Sequence, residues 1–129
     1  MMPDSEYLWI QVCEQLKWHN KGTDGCIDTL NRLWQKHTEV RSANGEVLLE
    51  VPTLTEDMLI VRAEQWPLDK LIGCTRAHTR ASPLFFAPII ILSWFERHFL
   101  VDGNTRVNFW SNRNNVGPHA VLRIMKRDV

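Results

Sequence analysis

Apolar and polar positions alternate at helical spacing in the first 40 residues of this 129-residue chain. Leu8, Val12 and Leu16 form one apolar stripe, which predicts a helix from residue 4 or 5 to about residue 19. A second helix is predicted over about residues 23–37, and its apolar face is made of Ile27, Leu30, Leu33 and Trp34. The glycine-containing break "NKGTDG" between the two stripes indicates a helical hairpin.

Short apolar runs separated by turn residues follow the hairpin. The segments "VLLEV", "MLIVRAEQW", "PIIIL", "HFLVD" and "HAVLRIM" each predict a β-strand, and the unbroken run in "PIIIL" is typical of a strand buried on both faces. Between these strands, "PLDKLIG" predicts one helical turn closed by Gly73, "SWFER" a turn and the polar "CTRAHTRASP" a loop. A short helix is predicted over residues 105–114, before the last strand.

These elements place the chain in the α+β class. We expect residues 1–45, the helical hairpin, to pack on a core with a small mixed sheet formed by residues 46–129. A length of 129 residues is enough for one hydrophobic core. The longest apolar stretch, residues 83–92, is too short to cross a bilayer and contains two prolines, so no membrane partner is expected.

The charge balance and the cysteines indicate which kinds of binding partner and which cellular compartment to expect. Lys and Arg number 15, as do Asp and Glu, and the resulting net charge of zero argues against bulk attraction to nucleic acid. Cys13, Cys26 and Cys74 lack the pair spacing of a metal site, so we expect free thiols in a cytoplasmic protein. The opening "MMPDSEYLW" lacks the basic and apolar regions of a signal peptide, which agrees with that location.

The stretch that bears most on function is "LVDGNTRV", residues 100–107. A strand that passes through Gly103 into a helix turns the free N–H groups of the first helical turn outward, and the helix dipole attracts an anion there. Arg106 lies in that first turn, where a cation is unfavourable unless an anion such as a phosphate faces it. The alternative interpretation is structural: Asp102 caps the helix, Gly103 relaxes the turn and Arg106 reaches solvent.

The second half of the chain resembles the ParB/sulfiredoxin-like superfamily. The similarity rests on "PIIIL…HFLVDGNTRVNFWSNRNNVGPHAVLRI", in which a Pro-Ile strand precedes a strand ending in an Asp-Gly-x-x-Arg turn, then a helix and a final strand. The upstream "WPLDKL" is similar to the segment that opens such domains. The resemblance covers residues 60–125 and implies a small mixed sheet of ParB/sulfiredoxin type behind the N-terminal helical hairpin.

This resemblance implies nucleotide or phosphate binding at the turn. Members of the superfamily generally hold phosphate there through the glycine and the arginine, which correspond to Gly103 and Arg106. The residues implied to form the site are Asp102, Gly103, Asn104, Thr105 and Arg106, joined by Arg76 and Arg80 of the preceding loop. Asn104 replaces the nucleophilic cysteine of sulfiredoxins, and Asn104 with Thr105 replaces the His-His pair of free-serine kinases, so no named chemistry follows.

A second similarity links "HFLVDGNTR" to the Fic motif "HPFxDGNGR" of nucleotidyl transferases. It implies that His98 acts as a general base and that the turn holds a pyrophosphate. Fic domains are helical around this motif, whereas "PIIIL" and "HAVLRIM" predict strands on either side of it. Strands on both sides of Gly103 would therefore count against a Fic domain.

Glu64 and Asp69 are the candidate catalytic residues if the chain is an enzyme. Glu64 lies near the end of a predicted strand and Asp69 in the turn after it, where a carboxylate can act as a base or bind Mg²⁺ beside a nucleotide. As solvated surface charges, both residues need no function. The five histidines have no metal-ligand spacing, and no Walker loop or dinucleotide fingerprint is present.

Three functions remain open. The first is binding of a nucleotide, with Mg²⁺, or of a phosphorylated small molecule by a ParB/sulfiredoxin-like domain. The second is a phosphotransfer or nuclease-like enzyme. The third is a catalytically silent interaction module with a protein partner, such as an immunity protein or a bacterial plasmid or phage accessory protein. Nucleic acid is a less favoured partner, because "RVNFWSNRNN" offers basic and aromatic residues but the net charge is zero.

Overall fold

The computed structural model describes residues 3–19, 22, 25–38, 40–41, 43–44, 47–49, 53–74, 87–94 and 97–127. Over these residues the chain is an α+β fold with four α-helices and a four-stranded mixed sheet. In chain order the elements are α1 (Pro3–Leu16), α2 (Cys26–Thr38), β1 (Val40–Arg41), β2 (Val47–Leu49), β3 (Leu59–Trp66), α3 (Leu68–Ile72), β4 (Ile89–Trp94), β5 (Arg97–Asp102), α4 (Asn104–Asn112) and β6 (His119–Lys126). Short 3-10 turns follow α1 at Lys17–His19 and precede β3 at Glu56–Met58.

The predicted order of helices and strands is confirmed over the described residues, with differences at their ends, and the loop predicted at "CTRAHTRASP" lies outside the described residues beyond Cys74. α2 begins at Cys26, later than the pattern indicates, and α4 begins one residue earlier than predicted. The prediction of a turn over "SWFER" is wrong for three of its residues, because Ser93 and Trp94 complete β4 and Arg97 begins β5. β1 has no counterpart in the prediction; it pairs with β2 across the predicted division at residue 45.

The strand order of the main sheet is β3-β6-β4-β5, which makes β3 and β5 its edge strands among the described residues. β3 pairs antiparallel with β6 over its full length, from Leu59 opposite Lys126 to Trp66 opposite His119. β4 is parallel to β6 and antiparallel to β5, with Ile90 opposite Asp102. The end of β5 and the start of α4 therefore lie beside the start of β4.

Helices cover both faces of this sheet. One face packs against α1 and α2 through a core that includes Val12, Leu16, Leu30 and Trp34 of the hairpin. The other face packs against α3 and α4 through a core that includes Leu71 and Val107. β4 contributes alternate residues to the two cores and all six of its residues are buried, which confirms the prediction of a strand buried on both faces. Each fully buried aliphatic side chain contributes about 1.5–3 kcal/mol to the free energy of unfolding.

A disulfide between Cys13 and Cys26 joins α1 to α2. The expectation that all three cysteines are free thiols is therefore wrong, and Cys74 is the free cysteine of the described residues. The hairpin is fixed to the sheet as well as to itself, because the Trp34 ring contacts the Phe99 ring of β5 edge-on with their centroids 5.0 Å apart. No helix in the described part of the chain is long and apolar enough to span a membrane.

Candidate functional site

The Asp-Gly-Asn-Thr-Arg turn connects β5 directly to α4. Gly103 has φ 115, a left-handed conformation that residues with a side chain rarely adopt, and its carbonyl accepts the first α4 hydrogen bond, from Val107 N at 3.0 Å. A Cβ at this position would collide with Ile89 Cδ1 and would lie 3.1 Å from Arg106 Nη2. The space beside Gly103 is thus filled by the protein's own side chains, which explains the glycine without a ligand.

Arg106 lies inside the protein, with 1 % of its surface exposed. Its Nη2 donates to Asp102 Oδ2 at 3.1 Å, and its Nη1 donates to the carbonyl oxygens of Pro88, at 3.1 Å, and of Ala87. The anion that a cation in the first turn of a helix requires is therefore Asp102 of the same chain. The interpretation in which Arg106 reaches solvent is wrong.

The N-terminal hairpin also converges on the Asp102 carboxylate. Gln15 Nε2 donates to Asp102 Oδ2 at 2.9 Å and to the Pro88 carbonyl at 2.6 Å, and His19 Nε2 lies 2.9 Å from Asp102 Oδ1. We call Gln15, His19, Asp102 and Arg106 the Asp102 cluster. It joins two regions that are far apart in sequence: the end of α1 with the turn after it, and the turn between β5 and α4.

The electrostatics of the Asp102 cluster favour an ion pair between Asp102 and Arg106. Burial would raise the pKa of Asp102, but the hydrogen bonds from His19 and Gln15 and the charge of Arg106 outweigh it and hold that pKa below its ordinary value. Burial lowers the pKa of Arg106, and the Asp102 carboxylate opposes this change. An arginine remains protonated at neutral pH, so one positive and one negative charge compensate each other within the fold.

The remaining residues of the predicted phosphate site have different environments. Asn104 is buried and Thr105 is half-buried, and neither residue is free of partners. The carbonyl of Asn104 accepts a hydrogen bond from Asn108 Nδ2 at 2.8 Å. Arg76 and Arg80 lie outside the described residues. Phosphate binding by this set stays a prediction, and it would require a change in the partners of Arg106.

Glu64 and Asp69, the candidate catalytic carboxylates, do not form a common site. Glu64 Oε1 accepts from Trp66 Nε1 at 2.8 Å, and its Oε2 lies 2.9 Å from Arg123 Nη2. Asp69 is exposed in α3, where its Oδ1 accepts from Lys70 N at 3.0 Å. Within the described ranges, no group of three His, Cys, Asp or Glu side chains could hold a metal ion. The hypothesis of a metal-dependent enzyme therefore has no set of metal ligands among the described residues.

His98, the base implied by the Fic similarity, is the second residue of β5 and lies at the end of the strand away from the turn. Its Nδ1 is 2.7 Å from Ser93 Oγ and its ring contacts the Trp66 ring, with centroids 5.0 Å apart. Burial, together with the charges of Lys70 and Arg123, lowers the pKa of His98. At about 3.3 Å per residue, His98 lies roughly 16 Å along the strand from Gly103. Strands β5 and β6 on either side of the turn count against a Fic domain, as expected above.

Two shallow grooves run along α1, on the face of the sheet that α1 covers. The larger one, of about 530 Å³, lies between Tyr7 and Leu8 of α1 and residues 61–64 of β3; we call it the β3 groove. The second, of about 400 Å³, shares Leu8 and Ala63 and extends to Pro88 beside the Asp102 cluster. No Lys or Arg is among the described residues that line the second groove, so it lacks the cations that a phosphate would need.

Sequence reasoning missed two features of this region. Tyr7 and Ile10 lie on the exposed side of α1, with 69 % and 56 % of their surface accessible. The sequence did offer a signal for this, because at helical spacing both residues fall opposite the stripe of Leu8, Val12 and Leu16. The contacts of Gln15 and His19 with Asp102 link residues 87 and 83 positions apart, for which the sequence offers no signal.

Comparison with known proteins adds no assignment. Neither a scan against protein-family models nor searches of curated proteins and of solved structures found a match for this chain.

Proposed function

We propose that this chain is a catalytically silent interaction module of ParB/sulfiredoxin-like type, whose phosphate-binding turn has become part of the protein's own framework. The observation that carries the proposal is the Arg106 guanidinium, which is buried and donates to Asp102 and to the carbonyls of Ala87 and Pro88. An arginine with this set of acceptors holds the fold together and has no need of a ligand.

Charge explains why an oxyanion is disfavoured at this turn. A phosphate that approached Arg106 would lie beside the Asp102 carboxylate, and two anions would then share one cation in a buried site. Displacing Asp102 instead would also break its hydrogen bonds with Gln15 and His19, which fix the hairpin to the turn. Both routes cost free energy. A superfamily member whose arginine has no carboxylate partner within the fold would not incur this cost.

The surface that supports an interaction role is the one around the β3 groove. Tyr7 and Ile10 expose apolar surface on α1, and the groove beside them is bounded by β3, an edge strand of the sheet. Exposed aromatic and aliphatic side chains beside a strand edge are typical of protein-binding surfaces. A protein partner, as for an immunity protein or a plasmid or phage accessory protein, therefore suits this chain better than a small anion.

The second candidate is the binding of a nucleotide, with Mg²⁺, or of a phosphorylated small molecule at the same turn. It is favoured by one atom: Arg106 Nε is buried and has no hydrogen-bond partner among the described residues. An unpaired buried donor costs about 1–3 kcal/mol, and an oxyanion that reached it would recover part of that cost. Phosphotransfer or nuclease-like activity by Glu64 or Asp69 would be an extension of this second candidate.

A thermal-shift series separates the two candidates. Wild-type protein is heated with ATP, ADP, GTP, pyrophosphate and inorganic phosphate, each with and without Mg²⁺. We expect no rise in Tm, whereas a specific ligand at a hundred times its Kd would add about 2.7 kcal/mol to the free energy of unfolding and raise Tm clearly.

The control for this series is Thr105→Asp, which adds an anion to the first turn of α4, where helices tolerate acidic residues. A ligand-dependent rise in Tm that Thr105→Asp abolishes would overturn the proposal in favour of phosphate binding at the turn. The matched variant Arg97→Glu changes an exposed charge on β5 and should leave any such rise unaffected.

A cytoplasmic location stays a prediction. It was expected from free thiols, and the Cys13–Cys26 disulfide weighs against it, because structural disulfides belong mainly to oxidising compartments.

A further inference from the structure

The hydrogen bonds of β3 show which of its backbone N–H and C=O groups point away from β6. Arg127 N donates to Met58 O at 2.7 Å, which continues the β3–β6 ladder and shows that residue 58 points inward. Val61 N instead donates to Ser5 Oγ at 3.2 Å, and Leu59 O accepts from Arg127 Nη2 at 3.3 Å. Because directions alternate along a strand, residues 59, 61, 63 and 65 present their N–H and C=O groups at the edge.

Among the residues that the structure describes, this edge is covered at one end only. Ser5 and Arg127 provide partners at Val61 and Leu59, whereas Ala63 and Gln65 have no hydrogen bond at the edge in the described part of the chain. Both residues are exposed. An uncovered edge of this kind is a template for pairing with another strand, and proteins that do not use it normally block it.

We propose that β3 pairs antiparallel with β3 of a second copy of this chain, about a two-fold axis at Ala63. In this register Ala63 forms a hydrogen-bonded pair with Ala63 of the second copy, and Gln65 N–H donates to the Val61 carbonyl of the second copy. The pairing adds about four hydrogen bonds across the axis, and the carbonyl of Gln65 of the second copy then faces the Ser5 hydroxyl, which holds Val61 N. The inference deepens the proposed function, since it names a second copy as the protein that the β3 groove binds.

Charge complementarity selects both the partner and the register. Pairing about Ala63 brings Arg62 directly opposite Glu64 of the second copy, on both sides of the axis. A shift of the axis to residue 62 or 64 would instead place two arginines or two glutamates opposite each other, which destabilises a strand pair. Within one copy Arg62 lies opposite Arg123, and Glu64 already forms an ion pair with Arg123, so the contact between Arg62 and Glu64 of the second copy extends an existing network of charges.

The exposed apolar residues of α1 fit the same two-fold arrangement. Tyr7 forms a rim of the β3 groove, on the sheet face that carries Ala63. The two-fold axis brings the α1 helices of both copies to this face, so that Tyr7 of each copy approaches the other copy across the axis. Self-complementary patches of this kind are characteristic of isologous dimers.

A cysteine cross-link tests the pairing and its register together. Ala63→Cys is made in a Cys74→Ser background, so that the only added thiol lies at the axis. The Cα atoms of a hydrogen-bonded antiparallel pair are about 5.5 Å apart, within the range of a disulfide, and mild oxidation should therefore link two copies through this residue. Gln65→Cys is the matched control, since its own equivalent lies about 13 Å away and should not cross-link.

Sedimentation equilibrium of the unmodified chain supplies the second measurement. We expect the mass to rise with concentration from 15.1 kDa towards twice that value. Arg62→Glu should raise the dimer Kd about tenfold or more, because it places two acidic residues opposite each other on both sides of the axis. Arg97→Glu, the same change on the other edge strand, should leave the Kd within about twofold of wild type.

The outcomes distinguish this inference from the function it rests on. A monomeric mass at all concentrations, or a cross-link through Gln65→Cys in place of Ala63→Cys, overturns the dimer. The proposal that the chain is an interaction module is tested separately, by the thermal-shift series with nucleotides and phosphates. A rise in Tm with a nucleotide that Thr105→Asp abolishes overturns the proposed function, whatever the mass of the chain.

Discussion

An Asp102→Ala variant is expected to lose about 3–5 kcal/mol of unfolding free energy, the range found when one partner of a buried ion pair is removed. The Arg106 guanidinium, 1 % exposed, would keep its carbonyl acceptors and lose the carboxylate that neutralises its charge. Gln15 and His19 would lose their shared acceptor at the same time. Urea denaturation at pH 7 measures the change.

Two further variants separate the buried charge from ordinary side-chain truncation. Asp102→Ala combined with Arg106→Met removes both charges and should recover at least about half of the loss, because no unpaired ion remains buried. Glu14→Ala removes an exposed ion pair with Lys17 and should cost less than about 1 kcal/mol. A loss from Asp102→Ala no greater than that from Glu14→Ala would contradict the buried pair.

The loss from Asp102→Ala should also depend on pH in a defined direction. The folded protein holds the pKa of Asp102 below its ordinary value of about 3.9, so the carboxylate contributes its full stability above that value. This contribution is lost as the pH falls through the lowered pKa of the folded state. The difference between wild type and Asp102→Ala should therefore narrow as the pH falls below about 4.

Gly103→Ala is expected to lose about 2–4 kcal/mol of unfolding free energy. The positive φ of 115 contributes about 1–2 kcal/mol, since a Cβ clashes with the backbone in this conformation. The remainder comes from overpacking, because the added methyl group meets Ile89, which is fully buried, and lies 3.1 Å from Arg106 Nη2. Chemical denaturation of the purified variant measures the loss.

Gly22→Ala provides a matched control for the backbone effect. Gly22 also has a positive φ, of 61, but no atom of the described residues lies within 4 Å of the Cβ that alanine would add. We expect a loss of about 1 kcal/mol from this substitution. Equal losses from the two glycine variants would mean that the side chains around Gly103 are not packed as described here.

The elements of the fold follow from local patterns in the sequence. The stripe of Leu8, Val12 and Leu16 predicted α1, and both Val12 and Leu16 are fully buried. The β-branched run at the start of β4 predicted a strand covered on both faces, since such a strand has no polar side to present. Each of these predictions needed only the residues of one element and the geometry of a helix or a strand.

The environment of the turn was harder to predict, because it depends on contacts between distant parts of the chain. Gln15 and His19 reach Asp102 only after the hairpin has packed on the sheet. One local signal was present: Asp102 and Arg106 are four residues apart, the spacing of an ion pair at the start of a helix. The Cys13–Cys26 disulfide was missed for a related reason, since a spacing of 13 residues does not reveal that α1 and α2 bring the two sulfur atoms together.

The central claim is that the Arg106 guanidinium is closed to outside anions by Asp102. NMR of ¹⁵N-labelled protein tests it most directly, because the buried Nε–H group of Arg106, which has no partner in the described part of the chain, reports on any anion that reaches it. We predict that its resonance does not move when pyrophosphate is added at millimolar concentration. A saturable shift of this resonance, together with that of the Gly103 amide, would contradict the claim and establish the turn as a phosphate site.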